Sequence, residues 1–377
     1  MATSFKISKN RCCALLIGFL MPLAIKMGNL NLYLNELILF LFLSINVGGI
    51  VRALKQKEAI FLLWKWNFLV CFLTVFYGFF VGDPVLHAKA TVQYTICFQV
   101  IIPVFYFITL YYHRDMLDGM FYSLFIAVYV VSLLLFFDYP IWKFIFNYNV
   151  TGGFFKRVGL TAVNDYGIIM YGCAILFIFF EHRPVRRLLA LIMIGYLIIA
   201  TGSRVAVLAF ILTIFLANRW PRSNKYVKFL VFAFLIYLTY YVYEHLPGLQ
   251  RLIGNGLSVG NRKLLIIDAL AHLDMSPWGT GFLQYFNPRD NYPVHNFFLL
   301  VLVELGLGLG LVMNFMIFLL LYFCGYGGGF RAYVPLVMVV GILSTITHGY
   351  DKFIWYIPAI VLSLSYWRPK SKLGKQG

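Results

Sequence analysis

Apolar blocks about 16–25 residues long recur along this chain, each long enough for a helix to cross a hydrocarbon layer about 30 Å thick. They fall near 12–28, 31–51, 59–81, 91–112, 118–137, 162–180, 188–201, 204–218, 226–244, 294–324, 331–347 and 353–367. The pattern predicts an all-α polytopic membrane protein of about twelve transmembrane helices, a single integral-membrane domain over 1–377. Composition excludes a soluble alternative: 62% of residues are hydrophobic and 12% charged, with mean hydropathy +0.83. A water-facing exterior needs far more charge than that.

Charge then orients the bundle. With a cytoplasmic N-terminus and one crossing per span, the inward segments hold Lys6, Lys9, Arg11, Arg52, Lys55, Lys57, Arg114, Arg183, Arg186 and Arg187. They also hold Arg219, Arg222, Lys225, Lys228, Arg331, Arg368, Lys370, Lys372 and Lys375. These are 19 of the 31 Lys and Arg, against Glu58, Asp115, Asp118 and Glu181, a net of +15. The remainder carries 12 basic and 10 acidic residues, a net of +2. The asymmetry follows the rule that cytoplasmic loops collect cations, and it puts both termini in the cytoplasm. It also accounts for the formal charge of +17 without nucleic acid, which would need a soluble basic face.

The six cysteines lie in or at the ends of spans without a Cys-x-x-Cys pair or Cys/His cluster, which argues against a disulfide framework or zinc site. The first apolar run lacks a small-residue cleavage site and reads as a retained helix. No internal repeat and no linker to a second domain is visible. Two outward segments are long, 138–161 and 245–293. Within the larger, Leu264 to Leu273 can form an amphipathic helix. The turn residues Ser276-Pro277-Trp278-Gly279 and Gly281 follow, then the polar run Asn287-Pro288-Arg289-Asp290-Asn291. Long ordered loops usually carry function.

Outward arginines run against the topological preference and so call for a reason. Arg204 follows Thr201-Gly202-Ser203 and opens a span; Arg262 stands in Gly260-Asn261-Arg262-Lys263 where the loop helix begins. Both are N-terminal settings, where free N–H groups and the helix dipole also favour an anion. Arg157 lies on the earlier outward loop in Phe155-Lys156-Arg157-Val158-Gly159. Arginine binds phosphate bidentately, so several converging on one cavity would suit a diphosphate. The plainer alternative is that each reaches lipid headgroups or pairs with Asp165, Asp268 or Asp290. His295, in Tyr292-Pro293-Val294-His295-Asn296, stands where the long loop re-enters the membrane. In a first helical turn its charged form is disfavoured, leaving a neutral imidazole able to accept a proton. The alternative is an interfacial histidine satisfied by loop carbonyls. On a straight helix Leu299, Leu302 and Gly306 share its face while Glu304 lies about 180° away. His348 is a weaker candidate at the outer end of a later span.

Three segments in this order resemble the O-antigen ligase/polymerase superfamily. They are Thr201-Gly202-Ser203-Arg204-Val205-Ala206-Val207-Leu208, Asn261-Arg262 through Ser276-Pro277-Trp278-Gly279-Thr280-Gly281-Phe282, and Val294-His295-Asn296-Phe297-Phe298-Leu299 with Glu304-Leu305-Gly306. Arg157-Val158-Gly159 followed by Asn164 is similar to a feature of the same family. The resemblance implies a metal-independent, cofactor-free glycosyltransferase of the C-type membrane architecture in the bacterial inner membrane. Its donor would be a glycan on undecaprenyl diphosphate, and its active site would face the periplasm. Carried over, Arg204 and Arg262 would bind the diphosphate, and His295 would take the proton of an acceptor hydroxyl. Arg157, Asn296 and Arg289 are supporting candidates.

The acceptor divides the family: lipid A–core for a ligase, a second lipid-linked repeat for a polymerase of O-antigen, capsule or exopolysaccharide. Ligases typically follow the His-Asn pair with nine residues and Gly-x-x-Gly. Here Gly306 is in register, but Leu309 stands at the fourth position and Gly310 follows. The sequence reading favours ligase over polymerase, with a hydrolase or transferase on the same lipid third. A transporter or flippase would predict repeated halves and broken helices with ionisable residues near mid-membrane. Glu36, Glu304 and Gly306, Gly308 and Gly310 are its only support.

Overall fold

A computed structural model describes residues 8–24, 34–138, 163–201, 203–217, 259–281, 284–285, 294, 296–344 and 352–364. At 134–138, 163–165, 204, 259–263 and 352–353 the description is of the backbone alone. All regular structure among these residues is helical: α1 (Lys9–Leu20), α2 (Leu34–Lys55), α3 (Glu58–Gly78), α4 (Pro84–Thr95), a π turn (Ile96–Ile101) and α5 (Ile102–Asp138). After these come α6 (Val163–Phe180), α7 (Pro184–Thr201), α8 (Arg204–Ala217), α9 (Val259–Met275), α10 (Phe297–Gly325), α11 (Phe330–Leu343), a 3-10 turn (Lys352–Trp355) and α12 (Tyr356–Leu364). Five stretches are long and apolar enough to cross a membrane, with shorter apolar helices beside them. The expected span 226–244 lies outside the described residues.

The chain divides into two units, residues 1–42 with 112–261, and residues 43–111 with 262–377. In the first, α6 packs against α7 and α8, and the Tyr171 hydroxyl meets Thr213 Oγ1 at 2.7 Å. The ion pairs of this unit join residues that the charge pattern assigns to one side. Arg11 Nη2 lies 2.9 Å from Asp115. Arg186 reaches Asp118 at 2.5 Å and Glu181 at 3.3 Å. Three of the four carboxylates expected on the inner face therefore have arginine partners from that same face.

The second unit packs α3 against α4 and α10, and α12 against α10 and α11. Phe105 stacks on Tyr356 (4.4 Å, 8° between planes), and Phe98 lies 4.4 Å from Trp355. Along α3, Phe68, Phe72 and Phe76 are more than half exposed, a face suited to lipid rather than water. The π turn aims Gln99 back at α3, where Gln99 Nε2 donates to the Trp64 carbonyl at 3.0 Å.

Two expectations need correction. Spans 91–112 and 118–137 are two helices that meet without a loop: the helical run Ile102–Asp138 is broken by a kink at Tyr112 (φ −130°, ψ 18°). The helical run also begins earlier, at Pro84. The Asp83 carboxylate caps it, accepting from Val85 N at 2.8 Å, and proline suits a first helical position that has no N–H to satisfy.

The larger correction concerns 294–324, expected as one straight crossing. Gly306 adopts φ +74°, ψ 173°, and α10 doubles back there. Asn314 Nδ2 donates to the Phe298 carbonyl at 2.9 Å, and Phe298 stacks on Phe318 at 4.9 Å. A Cβ on Gly310 would sit 2.9 Å from Leu302 Cα. Residues sixteen apart on a straight helix are separated by about 24 Å, so these contacts require two antiparallel arms, 297–305 and 307–325. The second arm alone, at about 1.5 Å per residue, spans nearly 30 Å. Gly306 consequently does not share a helical face with position 295.

Candidate active site

The site region of the second unit is built around the corner at Gly306. A turn in an α-helix strips carbonyls of their partners, and in an apolar surround those carbonyls must be satisfied by other protein groups. The turn following α9 supplies them. Thr280 N donates to the Val303 carbonyl (3.2 Å) and Gly281 N to the Glu304 carbonyl (2.8 Å), while Leu307 N donates back to the Pro277 carbonyl (2.9 Å). The approach is possible because both surfaces are glycine. A Cβ on Gly279 (φ +85°) would lie 2.4 Å from Gly306 N, and one on Gly306 would lie 2.5 Å from the Trp278 carbonyl carbon and oxygen.

The other side of the same loop is tied to the α3–α4 turn. Gln284 Oε1 accepts from Asp83 N (2.6 Å), and its Nε2 donates to the Asp83 carbonyl (2.9 Å). The charge-based reading expects residues 82–90 and the 245–293 loop on one side, and Asp83 and Gln284 join described residues of the two.

The expected amphipathic helix is present as α9. Its Leu265, Ala269 and Leu273 join Tyr285, Val294, Leu300 and Val303 in one buried cluster. Both α9 and the first arm of α10 end at the glycine interlock, and both give a lateral face to this cluster. Tyr285 is 3% exposed and its hydroxyl has no hydrogen-bond partner among the described residues; its ring lies 5.2 Å from that of His272. Burial, with a smaller contribution from Asp268, pushes its phenol up from the ordinary tyrosine range.

The sequence-derived candidates are distributed as follows. Arg204 is the first residue of α8, in the first unit. Ahead of it Thr201 Oγ1 donates to the Ile198 carbonyl (2.6 Å) and accepts from Ser203 N (3.1 Å), which ends α7 and frees the chain to restart. Arg262 lies in the first turn of α9, in the second unit. Asn296 caps α10, its Oδ1 accepting from Leu299 N at 3.1 Å, so its amide already has a structural task. The helix starts at Phe297. His295, Arg157, Arg289 and His348 lie outside the described residues. Glu304 is 1% exposed. Among the described residues no three His, Cys, Asp or Glu side chains gather closely enough to hold a metal ion.

Sequence reasoning missed the interlock, because Gly279 was legible only as a turn residue and Gly306 only as a helix-face residue. The Gly82-Asp83-Pro84 run carried a capping signal that would have placed the α3–α4 turn.

A comparison with curated proteins finds no match for the chain. Residues 188–315 match the family model described as O-antigen ligase. The matched segment runs from α7 into the second arm of α10 and contains Arg204, Arg262, the interlock and position 295. That match covers 128 of the 377 residues and supports a likeness to the O-antigen ligase/polymerase superfamily, whose members carry out glycosyl transfer of the ligase and polymerase type on lipid-linked glycans.

Proposed function

We propose that this protein transfers a glycan from undecaprenyl diphosphate to an acceptor hydroxyl at the periplasmic face of the inner membrane. Ligation of O-antigen to lipid A–core is the favoured reaction. The family match over 188–315 carries the reading, because all three proposed catalytic and diphosphate-binding positions fall within it. Arg204 and Arg262 stand at helix starts, where N–H groups and dipole add to guanidinium charge in attracting a diphosphate.

In the proposed reaction the acceptor oxygen attacks the anomeric carbon as the bond from that carbon to the phosphate oxygen breaks. Arg204 and Arg262 stabilise the charge gathering on the departing lipid diphosphate. His295 takes the proton from the attacking hydroxyl, and displacement from the opposite face inverts the anomeric centre. A diphosphate is already a good leaving group, so positioning and cationic stabilisation suffice without nucleotide or metal.

Polymerisation of lipid-linked repeats is the second reading, favoured by one observation: Leu309, not a glycine, stands at the fourth position of the Gly-x-x-Gly pattern that opens at Gly306. Reconstitution with lipid-linked glycan and either lipid A–core or a second lipid-linked repeat separates the two by which product forms. His295→Ala and Arg204→Ala are expected to abolish transfer while still inserting, and Arg262→Lys to be poor because an ammonium lacks the bidentate fork. Full activity of either alanine variant would refute the mechanism, and lipid movement without a new glycosidic bond would replace it with transport.

A further inference from the structure

We propose that the turn joining α2 to α3 binds an anionic glycerophospholipid of the surrounding bilayer, its phosphate held by Lys55 and Lys65 and an acyl chain lying in the apolar cleft beside Trp64. This site shares no residue with the one proposed for glycosyl transfer and does not depend on that reaction.

Two ammonium groups converge here on one aromatic ring. Lys55, the last residue of α2, holds Nζ 5.8 Å from the centre of the Phe61 ring, and Lys65 of α3 holds its own at 4.6 Å. The two charges are therefore no more than about 10 Å apart. Both residues are exposed, and neither is paired with a carboxylate among the described residues. Lys65 stands seven residues beyond Glu58, about 10 Å into α3 at 1.5 Å per residue, yet its ammonium folds back one turn to lie over Phe61. Like charges brought together at the margin of a low-dielectric layer repel unless an anion joins them. A lipid phosphate is the anion that a membrane supplies there, and basic side chains at the end of a membrane helix are the usual means of holding it.

An apolar cleft adjoins the same ring. Phe61 stacks on Trp64 (5.9 Å, 17° between planes), and Trp64 lines the cleft with Leu54, Leu63, Phe98, Ile102 and Leu320. Trp64 is fixed in place by the π turn: its Nε1 donates to the Gln99 carbonyl (3.4 Å), and Gln99 Nε2 donates to the Trp64 carbonyl (3.0 Å). Trp64 and Asn67 are the polar members of an otherwise apolar lining, and Asn67 Oδ1 already accepts from the Tyr94 hydroxyl at 3.2 Å. A phosphate carrying a hydrocarbon chain satisfies both halves at once. Free phosphate would leave the cleft unfilled, and a zwitterionic lipid would bring its own cation up to the two ammonium groups.

The test uses the full chain in phosphatidylcholine nanodiscs doped with either phosphatidylglycerol or phosphatidylcholine bearing brominated acyl chains, which quench indole fluorescence on contact. The Trp64 share of the signal is the difference between the wild type and Trp64→Phe. Half-maximal quenching is expected at about 25-fold less brominated phosphatidylglycerol than phosphatidylcholine, since each lysine beside an anionic headgroup is worth about fivefold. Lys55→Gln or Lys65→Gln alone should leave a preference of about fivefold, and the double variant none. Arg331→Gln, which removes an exposed cation elsewhere in the same unit, should keep the whole preference. Equal quenching by the two lipids in the wild type overturns the proposal, as does a preference that survives in the double lysine variant. Loss of the preference in Arg331→Gln would mean diffuse surface charge, and displacement of the brominated phosphatidylglycerol by inorganic phosphate alone would mean a soluble-anion site; either result overturns it too.

Discussion

Replacing Arg186 with methionine tests whether α5, α6 and α7 are joined by charge. The Arg186 side chain is 15% exposed and reaches three acceptors. Nη1 lies 2.5 Å from Asp118 Oδ1, Nη2 donates to the Leu117 carbonyl at 3.0 Å, and Nε stands 3.3 Å from Glu181 Oε2. The last contact is an ion pair without hydrogen-bond alignment. The guanidinium also lies 4.6 Å from the centre of the Phe121 ring. Methionine keeps much of the volume and removes the charge. Asp118, 49% exposed, can turn to water and contributes little to the cost. Glu181, 8% exposed, loses its cation and keeps only the hydrogen bond from Arg183 N at 2.9 Å. Removing one partner of a buried pair costs about 3–5 kcal/mol, and the solvent available to Asp118 puts this case near the lower end, about 3 kcal/mol. Thermal unfolding of the detergent-solubilised protein, followed by tryptophan fluorescence, should show a clear fall in Tm. Adding Glu181→Gln to the methionine variant should recover most of the loss, since it removes the stranded carboxylate. A single variant within about 0.5 kcal/mol of wild type, or a double variant no better than the single, would refute the reasoning.

Two further outcomes follow from the second unit. Gly308→Ala is expected to raise stability by about 0.5–1 kcal/mol, because the position is helical and open, and any fall in Tm would contradict the assigned contacts. Tyr285→Phe is expected to raise Tm, since its buried hydroxyl has no partner among the described residues and an unpaired one costs about 1–3 kcal/mol of desolvation; a fall in Tm of comparable size would mean that the hydroxyl is bonded.

The legible parts of the fold were those governed by local chemistry. The amphipathic spacing of Leu265, Ala269 and Leu273 announced α9, and Thr201-Gly202-Ser203 announced the break before Arg204. The charge pattern likewise put Arg11, Arg186, Asp115, Asp118 and Glu181 on one face, where three pairings are found. The candidate site was legible as an ordered set of motifs, because arginine at a helix start has a meaning that needs no distant partner. The capping role of Asn296, one of the supporting candidates, was not legible, since it depends on the helix beginning one residue later.

The apolar blocks by themselves determined that this chain belongs in a membrane as helices, because length and hydropathy alone decide whether a segment can satisfy its backbone within lipid. The corner at Gly306 was decided only by tertiary structure. A glycine in an apolar run is equally compatible with a straight helix. What bends it is the arrival, from nearly thirty residues earlier in the chain, of a second glycine and three backbone groups able to take over the hydrogen bonds that a straight helix would have made for itself.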